Sequence, residues 1–95
     1  MSKSIWKFTL DTTDYQKVLM PKNAQILSIQ AQNEIPCIWA IVDKEAESEE
    51  REFEIYGTGH QYRDDIWFGK EHSFVGTYQL NDGSLVFHCF ELRTV

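Results

Sequence analysis

Alternation is the feature that most constrains this chain. From Trp6 to Leu10, apolar Trp6, Phe8 and Leu10 alternate with Lys7 and Thr9, and a period near two recurs almost to the C-terminus. Successive side chains of a strand point to opposite faces, so this pattern predicts strands with one buried and one wet face. The breaks are turn-forming clusters: Asp11-Thr-Thr-Asp14, Pro21-Lys-Asn-Ala24, Asn33-Glu-Ile-Pro36 and Asn81-Asp-Gly83. Between them lie a short run ending at Met20, an amphipathic run with Leu27, Ile29 and Ala31 on one face, and Cys37–Val42, which is apolar on both faces. A short β-branched run of that last kind belongs at the centre of a packed structure. Phe53 and Ile55 mark another strand, and Phe74–Leu80 and Leu85–Leu92 flank the Asn81-Asp-Gly83 turn as a C-terminal hairpin. Lys44 to Glu50 has no apolar stripe to anchor a helix and reads as an acidic hairpin loop, and His60 to His72, with neither period, as a long irregular loop. About seven short strands without a convincing helix predict an all-β, antiparallel sandwich or small barrel.

Ninety-five residues, 42% of them hydrophobic, make a single β domain spanning 1–95 and exclude disordered and collagen-like chains. No apolar run reaches the ~20 residues of a membrane span, and Met-Ser-Lys-Ser lacks a signal-peptide core. The expectation is a cytoplasmic protein with no membrane partner, whose two cysteines, Cys37 and Cys89, are buried hydrophobes rather than a disulfide.

Net charge is −6, and seven carboxylates against two cations crowd into Asp43–Glu54. Phosphate-backbone binding depends on clustered Lys and Arg, so direct nucleic-acid binding is disfavoured. Like-charge runs usually stay solvated, although Glu45, Glu47, Glu49 and Glu50 also permit an acidic decoy of a basic, nucleic-acid-binding protein surface.

The most distinctive segment is Glu54-Ile-Tyr-Gly-Thr-Gly-His60. A strand ending in Gly-x-Gly lets consecutive N–H groups converge on an anion, with Thr58 and His60 as further donors; it equally suits a sharp strand exit. Tyr56, Tyr62, Trp67 and Phe68 surround it, more ring surface than so small a domain readily encloses, which suggests an interface or a stacking platform, the alternative being rings folded back as a cap. Tyr56, Gly57, Thr58, Gly59, His60, Tyr62 and Trp67 are therefore the candidate ligand-binding residues. The three histidines and two cysteines lack the tight spacings of a metal site, so neither metal nor cofactor is expected. An acid–base pair of His60 and His88 in a small hydrolase or phosphodiesterase is the catalytic alternative.

Met20-Pro-Lys-Asn-Ala-Gln-Ile-Leu-Ser-Ile-Gln-Ala-Gln32, Pro36-Cys-Ile-Trp-Ala-Ile-Val-Asp43, Ile55-Tyr-Gly-Thr-Gly-His60, Phe74-Val-Gly-Thr-Tyr-Gln79 and Val86-Phe-His-Cys-Phe-Glu91 together resemble a family of small, largely uncharacterised bacteriophage and prophage proteins. Asn23 stands where that pattern has Gly, and Phe87 where it has Trp. The resemblance implies phage origin, a single small domain and expression in the host cytoplasm, and it carries over no catalytic residues. By class analogy it implies a non-catalytic accessory protein that binds a host protein or a small anionic, nucleotide-type ligand, antagonising anti-phage defence. A pocket of that kind in so small a domain implies a homo-oligomer.

Overall fold

The computed structural model describes residues 2–65 and 71–93. Among the described residues there are seven strands: β1 (Lys3–Thr9), β2 (Tyr15–Pro21), β3 (Gln25–Gln32), β4 (Ile35–Asp43), β5 (Ser48–Gly57), β6 (His72–Leu80) and β7 (Leu85–Leu92). They form two antiparallel sheets, β1-β4-β3 and β2-β5-β7-β6, that do not close into a barrel, so of the expected sandwich or small barrel the fold is the sandwich. No helix among the described residues is long and apolar enough to cross a membrane.

β4 is the centre of its sheet, as its two apolar faces require. Inward-facing Ile38, Ala40 and Val42 are buried, and on the other face Cys37 is buried while Trp39 and Ile41 are half-buried. The opposing sheet contributes Phe53 and Ile55 of β5, Cys89 of β7, Tyr78 of β6 and Met20 of β2. The Tyr78 hydroxyl, carried into this core, bonds the Thr12 hydroxyl at 2.9 Å. Cys37 and Cys89 are free, buried thiols, and burial pushes the Cys89 thiol up to about 12, which suppresses the reactive thiolate.

Several local expectations are corrected. Strict alternation assigns Leu27 to the buried face of β3, but a bulge between Ile26 and Ser28 turns Leu27 out, 47% exposed, and leaves Ile26, Ile29 and Ala31 against the core. The acidic loop is shorter than Lys44–Glu50, because Ser48, Glu49 and Glu50 already pair with Pro21, Met20 and Leu19. Ile35 and Pro36 belong to β4 rather than to a break. The turn itself is Asn33-Glu34, both left-handed (φ 52° and 67°) between the paired Gln32 and Ile35, the two-residue geometry whose twist matches the strands. Pro21 ends β2 and opens its turn, accepting from Ala24 N at 3.1 Å, and Asn23 takes the left-handed position (φ 66°) that glycine would otherwise occupy. His72 is the first residue of β6, not the end of a loop.

The two sheets converge at β3 and β6. Gly76 follows a bulge in β6, and a Cβ there would sit 2.8 Å from Ile29 Cγ2, so only glycine allows this approach. On the other side, β1 and β2 are the outer strands of their respective sheets.

Candidate functional site

Pairing fixes which side chains share the outer face of the four-stranded sheet. Tyr56 lies opposite His88, which lies opposite Thr77; Glu54 lies opposite Phe90, which lies opposite Phe74. The chain leaving β5 folds back over this face and lays Tyr62 on it. Its ring centroid is 5.2 Å from Tyr56, 5.3 Å from His72 and 5.4 Å from Phe90, and His72 stacks on Phe90 at 4.6 Å and 11°. Within the cluster His72 is wholly buried, Tyr56 half-buried, Tyr62 37% exposed and Phe74 51% exposed. Trp67 and Phe68, expected in the same group, lie outside the described residues.

Glu54 is the electrostatic hub. Its Oε1 accepts from the Tyr56 hydroxyl at 3.0 Å, and its Oε2 accepts from Arg63 Nη1 at 2.6 Å. Arg63 also forks onto Asp65 at 2.7 and 2.8 Å, which holds that carboxyl down at about 2. Burial and the Glu54 carboxylate push the Tyr56 phenol up to about 12. His72 Nε2 lies 2.9 Å from Glu54 Oε1 but off the line of a hydrogen bond, so the contact is an electrostatic one. Burial lowers the His72 pKa, with the Glu54 carboxylate pulling the other way; the ring has no solvent contact, and desolvation prevails. Burial thus favours the neutral imidazole; its Nδ1 is hydrogen-bonded to the Tyr62 hydroxyl, and its Nε2 is the ring atom beside Glu54.

The Gly-x-Gly segment closes the strand. Thr58 N donates to Val86 O and His60 N to Gly57 O, both at 3.0 Å, so these two N–H groups are already used within the chain. Gly59 supplies the left-handed residue (φ 90°). The His60 ring lies flat against Gly57, where a Cβ would come within 2.9 Å of it. His88 bonds the Thr58 hydroxyl at 2.7 Å and the Thr77 hydroxyl at 2.9 Å, and among the described residues no hydrogen bond joins it to His60.

Beside the ring cluster is a recess of about 370 Å³. Asp14 lines it from just before β2 and Tyr15 from the first position of β2, Glu54 and Tyr56 from β5, and His60 and Gln61 from the segment that follows β5. Of the candidate ligand-binding residues, Tyr56 and His60 meet here; Tyr62 covers the adjacent rings, and Thr58 is turned to His88. The sequence reading missed Asp14, Tyr15, Glu54, Arg63 and His72. For Glu54 the signal was its place two residues before Tyr56, on the same face; for the others nothing local announces a contact made across the sheet. Tyr15 donates its hydroxyl to Glu52 at 2.5 Å, while no side-chain partner holds the Asp14 carboxylate among the described residues. The recess therefore combines ring faces with one carboxylate available to a ligand.

No curated protein and no solved structure matches this chain. A family model does, over residues 1–95, and the chain accordingly belongs to the family described as a domain of unknown function, DUF7352.

Proposed function

We propose that this chain is a non-catalytic binding protein that engages a host protein through the recess at Tyr56, which receives the guanidinium group of a partner arginine. One observation carries the reading: the rings of Tyr15, Tyr56 and His60 share a recess with the Asp14 carboxylate, which no side chain holds among the described residues, and with the charge of Glu54, whose oxygens are engaged by Tyr56 and Arg63. A guanidinium is planar and always charged; it stacks on aromatic faces while donating in its own plane to carboxylates. The surplus of acid along β5 favours approach of a basic partner surface. The bacteriophage setting implied by the sequence resemblance points to a host protein, such as a component of anti-phage defence, as the partner class. A nucleotide has less support. Its base could use the same rings, but its phosphates would meet Asp14 and Glu54, and two N–H groups of the expected anion cradle are engaged elsewhere.

The test is calorimetric titration with three probes: the amidated tripeptide Gly-Arg-Gly, its lysine counterpart, and AMP. The arginine peptide binds best, and Tyr56→Ala weakens it by about tenfold, the scale of one lost cation–π contact. Preferential binding of AMP, lost in the same variant, overturns the arginine reading in favour of a nucleotide. Absence of binding by all three contradicts recognition at this recess.

A further inference from the structure

The three-stranded sheet ends in an unusually regular edge. β1 pairs with β4 from Lys3 to Thr9 without a bulge, and its other edge has no backbone partner among the described residues. Register with β4 places Ser4, Trp6 and Phe8 on the core side and Lys3, Ile5 and Lys7 on the outside. Both faces are unfinished at this edge: Trp6 points to the core side yet is 39% exposed, and Ile5 on the other face is 60% exposed. A flat, apolar, unpaired edge is a template for another strand, and native sheets usually blunt such edges with bulges, proline or charge. Here there is neither bulge nor proline; only the two lysines remain.

Those lysines make the edge cationic in a chain of net charge −6. Lys7 Nζ donates to the neutral Gln32 amide at 2.8 Å, and the one acid opposite β1 is Asp43, across from Lys3. By contrast, Arg51 and Arg63 are engaged by Glu91, Glu54 and Asp65. A second copy fits poorly. In an antiparallel β1–β1 pairing centred on Ile5, each Lys3 would face the other copy's position 7, also lysine. Centred on Trp6, each Lys7 lies diagonal to both lysines of the other copy. Like charges at such positions are destabilising.

We propose that the free edge of β1 is a strand-addition site for an extended acidic segment of a partner protein. Main-chain hydrogen bonds to β1 supply the register, and alternation supplies the specificity. Acidic side chains on one face of the segment pair with Lys3 and Lys7, and apolar ones on the other cover Trp6 and Phe8. This site is separate from the recess at Tyr56 and does not depend on it.

The probe is a fluorescent, blocked peptide of alternating Glu and Val, seven residues like β1 itself. Fluorescence anisotropy is expected to show saturable binding that falls about tenfold when both lysines are reversed (Lys3→Glu with Lys7→Glu), as expected for loss of complementary charge. The reversed variant is expected instead to prefer the Lys/Val peptide. Replacing the central peptide residue by proline abolishes binding, and Tyr56→Ala leaves it unchanged. Circular dichroism and thermal melting confirm that the variant folds. No binding of the Glu/Val peptide, or binding indifferent to charge reversal, overturns the proposal. So does concentration-dependent protection of β1 amides from exchange in the protein alone, which would identify a second copy as the occupant.

Discussion

Phe53→Ala is expected to remove about 3–5 kcal/mol of folding stability, the loss typical of truncating a large buried aromatic. Phe53 is completely buried, lies in the core cluster and comes from β5, which pairs with both β2 and β7. The cavity left behind would open between two sheets held apart by their own backbone ladders, so the surroundings collapse little. Domains of this size have total stabilities of about 5–15 kcal/mol, and the variant is expected to be partly or wholly unfolded at ambient temperature. Urea titration measures this as a large fall in midpoint at unchanged slope. A loss below about 1 kcal/mol, the range of the mildest core truncations, would contradict the packing described for Phe53.

The second large effect belongs to Glu54. Glu54→Gln keeps the shape but leaves Arg63 and the Tyr56 hydroxyl facing an amide, and withdraws the charge beside buried His72. The expected cost is about 2–4 kcal/mol, below that of breaking a fully buried ion pair because Arg63 retains Asp65. The same cluster gives a pH signature. The His72 pKa is lowered from 6.5 by burial, so below pH 6.5 the unfolded chain takes up a proton that the folded chain refuses. Stability therefore falls as pH drops from 6.5 toward the depressed folded value, beyond which the contribution is constant. Urea titrations across that window are expected to show this limb in the native chain and its loss in His72→Gln. An identical pH slope in the two proteins would mean that the imidazole is not held neutral.

The strands were legible because burial on one side of a ladder imposes a period of two whatever the partner, and the β6–β7 hairpin because Asn81-Asp-Gly83 supplies left-handed residues where the loop needs them. Leu27 was misread because a bulge resets the period without a local marker; the Gly76 bulge likewise depends on how closely Ile29 approaches from another sheet. At the candidate site, Tyr56 and His60 were legible because a strand end and a Gly-rich turn are local features. The rest was not. Glu54 sat inside an acidic run whose members ordinarily face water, and only the fold brings Arg63 and His72 onto it. Asp14 and Tyr15 reach the recess because β2 pairs with β5 across a separation of more than thirty residues, which no spacing in the sequence encodes.

The most direct measurement is a two-dimensional amide spectrum of the isotopically labelled protein titrated with the amidated tripeptide Gly-Arg-Gly. The recess account predicts that the signals of Asp14, Tyr15, Tyr56, His60 and Gln61 move together along one saturable curve, while those of β1 stay still. Shifts scattered over the acidic stretch without a common curve, or a protein that ignores the peptide altogether, would contradict it.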